Sequence, residues 1–522
     1  LYNGVIHTQA ASLTVDSMAI NRKRIVAIGK NLQHDPDFKA YDRIDLKGKC
    51  VVPGLVDAHT HFVFMARSLG TVRLQALPTL EACLKEIASF AKKAKAGEWV
   101  VGEGYAPDRF KTNIEPTAAM LDAVTGSHPT FIYSKDQHSC WVNSAALALA
   151  GITKKLRDPE GGEIVRDHDG RPTGILREGP AISLVYKKIP PVSNSRMDRL
   201  YRQALDQVYR RGVTGVHSFD GPEAYRYLER LASRGKVGLR FNYYPSAALL
   251  DELTERRVYF GSGDEFFRIA GVKIFSDGSL GSKTALCFDR YIGSKDNFGI
   301  EVTSVAEMKR LVRRAQKLNL PAAIHAIGDK AVSNVLDAFS DSGPLSFGAR
   351  HRIEHLQLIR RPDIDRLLKL KVTASMQPSH CPSDIDLVRT YWGKRGVNAY
   401  IFRTLLERGV PLAFGSDAPI EPLDPIAGIH DAVRRARPGK RDVFYPEERI
   451  TAAQALFGFT AGPAYAAGQE HCRGYLLPGY PADLVVLDRD ILKTPPTRIL
   501  DTTVLATILD GAVTYSARRF SL

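Results

Sequence analysis

Val51-Val52-Pro53-Gly54-Leu55-Val56-Asp57-Ala58-His59-Thr60-His61-Phe62 is an apolar run entered through a Pro-Gly turn, and it reads as a buried strand. Side chains alternate between the faces of a strand, so His59 and His61 point the same way and can grip one metal ion. Paired histidines also occur on ordinary surfaces. Whether this pair is a ligand pair depends on what the rest of the chain brings to it. Asp57 has the same parity and is either a strand-start turn former or a carboxylate that fixes one imidazole.

Seven further apolar runs follow, at 213–218, 239–244, 269–275, 322–325, 352–356, 372–376 and 412–415. Helix-like stretches such as 304–318, 330–339 and 362–370 fall between successive runs. Strands alternating with helices are the pattern of a parallel α/β fold, and eight strands predict a TIM-like (β/α)8 barrel over 51–471. The section from about 70 to 210, dense in Gly, Asp, Asn and Pro between Gly97 and Pro190, is expected to be an insertion over the barrel mouth. Residues 1–50 and 472–522 carry short β-like runs, including 4–7, 17–20, 24–28, 43–45, 482–488 and 504–509. Neither end has enough strands for a sheet of its own, so the two are predicted to pair into one small β-sandwich domain.

A chain of 522 residues with 44% hydrophobic and 25% charged residues has ample material for a large core and is neither disordered nor fibrous. No apolar run is long enough to span a membrane. The six cysteines are scattered without paired spacing, as free thiols of a reducing compartment are. No signal peptide is visible, and a cytoplasmic location is expected. The net charge of +15 is spread over several amphipathic helices without an aromatic-interleaved patch, which reads as a solvated basic surface and not a nucleic-acid interface.

Functional groups of such barrels sit at the C-terminal strand ends. There the chain places His59 and His61 on the first strand, Lys273 on the fourth, His325 on the fifth, His355 on the sixth and Asp417 beyond the eighth. Singly, each has an ordinary explanation: a structural histidine, a snorkelling lysine, a turn-forming aspartate. Their recurrence at five strand ends points to one metal centre.

These segments resemble the amidohydrolase superfamily, and within it amidohydrolase family 3, the YtcJ-like branch. The resemblance is carried by Val-Pro-Gly-Leu-Val-Asp-Ala-His-Thr-His, Gly-Val-Lys-Ile-Phe-Ser-Asp-Gly-Ser, Ile-His-Ala-Ile-Gly-Asp, Arg-Ile-Glu-His-Leu-Gln and Gly-Ser-Asp-Ala-Pro-Ile-Glu-Pro. It covers nearly the whole chain. It implies that His59, His61, His325, His355 and Asp417 bind one or two divalent ions, zinc above others, and that Lys273 is an N6-carboxylysine bridging two metals. A neutral amine takes up carbon dioxide, and the resulting carbamate is an anionic ligand that an ammonium cannot supply. Glu178, in Gly-Ile-Leu-Arg-Glu, is the alternative acidic ligand.

The expected reaction is hydrolysis of a non-peptide C–N bond in a small molecule: an amide, N-formyl group or cyclic amide. Zinc lowers the pKa of bound water to about 7, and Asp417 would take the proton during attack and pass it to the departing amine. His138, Trp141, Asn143, Asp277, Asp329, Arg352 and Gln377 are candidate substrate contacts. Among the remaining histidines, left as surface or structural, His380 is the least secure. One alternative is a deaminase of an amino-substituted ring. Another, of a different class, is a non-catalytic binding protein that keeps the barrel. A homodimer is the default assembly.

Overall fold

Gly54 splits the opening run in two. Cys50–Pro53 and Leu55–Thr60 are separate strands, and the chain changes sheets between them. A Cβ on Gly54 would stand 2.2 Å from Thr214 Oγ1, so only glycine lets the backbone pass. The computed structural model describes residues 1–522 except 12, 75–76, 96, 106–115, 135–138, 160–161, 346–347, 519 and 521–522.

The chain forms two compact units, Leu1–Met65 with Leu205–Leu522, and Ala66–Ala204. The first unit holds the expected parallel strands: β1 (Leu55–Thr60), β2 (Val213–Ser218), β3 (Arg240–Tyr243), β4 (Val272–Phe275), β5 (Ala322–Ala326), β6 (Arg352–His355), β7 (Thr373–Met376) and β8 (Leu412–Phe414). Strands β1, β2 and β3 pair in that order in one sheet, and β4 to β8 pair in order in another. Every pairing is parallel. Isolated parallel bridges link the two sheets: Thr60, at the end of β1, with Ala418, past β8, and Ser246, past β3, with Lys273 on β4.

The run at 269–275 is corrected to two pieces. Phe267–Ile269 pairs with β3 and ends the first sheet, whereas β4 opens the second. The break falls at Gly271, where a Cβ would meet Pro321 O at 2.5 Å. Helices follow the strands. Val305–Gln316, after β4, starts where the Ser304 side chain accepts the Glu307 N–H. It buries Met308, Val312 and Ala315, one stripe at helical spacing, and shows its charged residues to water.

Strands from both ends of the chain build one six-stranded sheet in the order Thr14–Val15, Val5–His7, Cys50–Pro53, Leu484–Leu487, Val504–Leu509, Ala512–Ser516. Ile6, Val51, Leu484 and Val486 pack beneath it with Val15 and Met18. Ser17–Asn21 and Arg24–Gly29 form a separate hairpin, and the run expected at 43–45 contributes only an isolated bridge between Tyr2 and Asp45.

The Ala66–Ala204 unit is more ordered than its turn-rich composition suggests. It has its own six-stranded sheet, Glu163–Arg166, Pro172–Arg177, Ser139–Val142, Thr130–Ser134, Val100–Tyr105 and Val72–Arg73. A core of Leu80, Cys83, Ile87, Leu121, Ile132 and Trp141 supports it. Among the described residues no helix is long and apolar enough to cross a membrane.

Candidate metal centre

The strand ends of the first unit bring the predicted residues together around Asp417. Its Oδ1 lies 3.5 Å from His59 Nε2 and 3.4 Å from His61 Nε2. His59, His61 and Asp417 offer ligand atoms all within 4.8 Å of one another, and His355, His380 and Asp417 form a second such group. His325 packs edge-on against His355 with ring centroids 4.5 Å apart. His380 is the histidine that the sequence reading leaves as surface or structural, as the least secure of that set. It stands four positions beyond the end of β7, so the strand-end criterion that picked the others would have found it.

Three imidazoles each have one nitrogen engaged by an oxygen. His59 Nδ1 is 2.5 Å from Glu354 Oε2, His355 Nδ1 is 2.8 Å from Gln377 Oε1, and His325 Nε2 is 2.9 Å from the Gly278 carbonyl. An acceptor at one nitrogen places the ring proton there and leaves the lone pair on the other, as in metal-binding imidazoles. Burial, reinforced by the Lys273 charge, holds His59 down at about 4 and His325 down at about 3, so both rings are neutral at pH 7.

Glu354 was also missed. It is fully buried, its Oε1 accepts from Arg352 Nε at 2.5 Å, and Arg352 in turn reaches His217 Nδ1, the Ala58 carbonyl and Ser375 Oγ at 2.6 to 2.7 Å. Burial opposes its ionisation, yet Arg352 and His59 together hold the carboxyl well below the usual range. Strand alternation would send Glu354 and His355 to opposite faces. The backbone at His355 turns left-handed, with φ 73°, and both side chains reach the same cluster. Asp417 is left-handed too, at φ 61°. Such backbone in non-glycine residues costs about 1–3 kcal/mol each and gathers at functional sites.

Lys273 points into this cluster with no hydrogen-bond partner on its buried Nζ, which lies 4.9 Å over the rings of both Phe219 and Phe275. Burial pulls the ammonium down to about 8. His59 Nε2 is likewise buried without a hydrogen-bond partner. Neutral imidazoles with free lone pairs, a buried ionised carboxylate and the unpartnered His59 Nε2 fit a divalent cation.

The family model described as amidohydrolase family matches residues 42–515. The chain belongs to the amidohydrolase family. It is 31% identical to the putative amidohydrolase YtcJ of Bacillus subtilis (strain 168), over 91% of this chain and 90% of that protein. It is 29% identical to the N-substituted formamide deformylase of Arthrobacter pascens, over 90% and 89% of the two chains. A metal-dependent hydrolase of uncharacterised function from Pyrococcus horikoshii OT3 shares its fold with a TM-score of 0.79 at 29% identity, over 95% of this chain and 98% of that one. As an amidohydrolase, the protein is a hydrolase of carbon–nitrogen bonds.

Other predicted residues of this amidohydrolase have positioning roles. Asp57 accepts from the backbone N–H groups of His59 and Ser416 at 3.0 Å, linking β1 to the loop after β8, and burial raises its carboxyl to about 7. Asp277 is spent on the N–H groups of Leu286, Ile327 and Gly328, and Asp329 accepts from Phe288 N. Arg352 and Gln377 hold Glu354 and His355. The expectation that Trp141 and Asn143 touch substrate is corrected. Trp141 is fully buried in its own unit and donates to the Thr117 carbonyl. Asn143 caps the helix Ser144–Leu149, accepting from Ala146 N and Thr130 N while its amide donates to the His128 carbonyl. His138 and the Glu178 side chain lie outside the described residues.

Proposed function

We propose that the protein is a zinc-dependent amidohydrolase that cleaves an amide, N-formyl or cyclic amide bond of a small molecule. The observation that carries this reading is the set of three neutral imidazoles, His59, His325 and His355, each tied at one nitrogen and open at the other, beside the ionised Asp417. Nitrogen and carboxylate donors suit zinc. A divalent ion held there would polarise the scissile carbonyl and make water nucleophilic at neutral pH.

The chain's own groups do the remaining work. Asp417 takes the proton of the attacking water and delivers it to the leaving nitrogen, which departs poorly unless protonated. Its left-handed backbone and the Asp417 N–H bond to the His59 carbonyl, 2.7 Å, aim that carboxylate. Glu354, Gln377 and the Gly278 carbonyl keep the imidazoles in one tautomer. Lys273, with no hydrogen-bond partner and its pKa drawn down to about 8, reaches the neutral amine that takes up carbon dioxide far more readily than an ordinary lysine, and a carbamate there would add an anionic ligand. The bridges at Thr60 and Ser246 support closure of the two sheets into one barrel around these groups.

The name of the Arthrobacter relative makes N-formyl amines the first substrates to try. The test is a panel of N-formyl, N-acyl and cyclic amides incubated with zinc-loaded protein, read for released formate or carboxylate. Release of ammonia from an amino-substituted ring, with no carboxylate from any amide, would assign the site to deamination instead.

A further inference from the structure

A second group of metal-binding side chains lies in the sheet made by the chain ends. His7, Cys50 and Asp490 offer ligand atoms within 4.8 Å of one another. They come from three adjacent strands: His7 closes Val5–His7, Cys50 opens Cys50–Pro53, and Asp490 follows Leu484–Leu487. Val5 and Leu487 are the two cross-strand partners of Cys50, so the sheet register itself gathers the three.

We propose that His7, Cys50 and Asp490 form a second metal site, of zinc type, that fastens the two ends of the chain together. A sulfur, an imidazole and a carboxylate are a zinc donor set, with water completing the tetrahedron. The imidazole is already oriented for it: His7 Nδ1 lies 3.2 Å from Thr14 Oγ1, and Nε2 faces Asp490 Oδ1 at 2.9 Å. Such an outer partner on the non-ligating nitrogen is usual for metal-bound histidine. Cys50 is fully buried, and the His7 and Asp490 side chains are only 11% and 15% exposed. Asp490 Oδ2 is buried with no hydrogen-bond partner among the described residues, and Lys493 Nζ stands 3.9 Å away. Apart from that long ion pair with the exposed Lys493, the oxygen has no partner among the described residues, and a metal ion would give it a direct one.

The proton balance is simple. The ion displaces the proton on the Cys50 thiol, which goes to solvent, while the His7 ring keeps its proton on Nδ1, facing Thr14 Oγ1, and turns the Nε2 lone pair to the metal. Binding at this site therefore strengthens as pH rises.

Cobalt(II) substitution gives a readout independent of catalysis, because none of the strand-end ligands carries sulfur. The full chain is stripped with chelator and reloaded with cobalt(II). A sulfur-to-cobalt charge-transfer absorption in the near ultraviolet is expected, together with one metal equivalent more than the strand-end centre takes up. C50S should abolish the absorption and lose that equivalent, and H7Q should do the same in a chain whose fold does not depend on the Cys50 side chain. C472S and C381S, which alter the exposed cysteine and the one beside His380, should keep it. Absence of the absorption at saturating cobalt, or its survival in C50S or H7Q, overturns the proposal.

Discussion

Glu354 Oε2 rests 2.5 Å from His59 Nδ1, with both side chains wholly removed from solvent. This carboxylate fixes the tautomer of His59 and would raise its basicity toward a metal ion. E354Q keeps the volume and loses the charge, and the expected outcome is a metal affinity reduced about 10- to 100-fold, read by zinc competition against a chromogenic chelator. E354A is a harsher change because it strands the Arg352 guanidinium. It should cost about 3–5 kcal/mol in a denaturant titration. Unchanged zinc affinity in a folded E354Q protein would show that His59 does not depend on this partner.

Asp417 is the proton carrier of the proposed reaction. D417N retains an oxygen donor and cannot shuttle a proton, so turnover of whichever amide the panel identifies should fall by about 10²–10⁴-fold. Wild-type turnover in D417N would remove Asp417 from the mechanism.

Lys273 should behave as a carbamate. Bicarbonate added with zinc during reconstitution raises activity, and K273A loses it, with partial recovery when a short free carboxylate such as propionate is supplied. Recovery would mark the missing group as an anionic ligand, whereas an ammonium role would leave propionate without effect.

Asn143 tests the correction made for the Ala66–Ala204 unit. N143A removes a helix cap and leaves the Thr130 N–H without its acceptor, for a loss of about 1–3 kcal/mol in stability. Because its amide and carbonyl are both engaged inside the unit, kcat/KM at a temperature where the variant is folded should stay within a factor of two or so of wild type. A selective rise in KM would restore Asn143 to the substrate site.

His351 supplies a pH dependence away from the strand-end cluster. Burial holds it down at about 4 against an ordinary 6.5, and its Nδ1 accepts the Ala322 N–H at 3.0 Å. Between those values the unfolded chain binds a proton that the folded chain refuses. The contribution is thus complete above pH 6.5 and is lost as pH falls toward 4, with a slope approaching about 1.4 kcal/mol per pH unit. H351N should be less stable at pH 7 yet lose less between pH 6.5 and 4, as read from urea midpoints. Parallel pH curves for the two proteins would refute this assignment.

The strand-end logic carried His59, His61, His355 and Asp417 to one place because period-two alternation and parallel β/α order are both written in residue type. Glu354 escaped it for a physical reason. Alternation assigns Glu354 and His355 to opposite faces, and the left-handed turn that overrides it at His355 has no glycine or asparagine to announce it. The break at Gly271 was missed because the flanking β-branched and apolar residues let 269–275 read as one strand. Trp141 and Asn143 were chosen for what such side chains can do, and only packing reveals that their polar atoms are already engaged.

The sheet that joins the two ends also sets an order of events during synthesis. Cys50–Pro53 is flanked by Val5–His7 on one side and Leu484–Leu487 on the other. While the ribosome is still making the chain, the first of these neighbours can pair and the second does not yet exist. An apolar edge therefore waits, open to other nascent chains, until Leu484–Leu487 has been made, and this is the stretch a chaperone would need to shield.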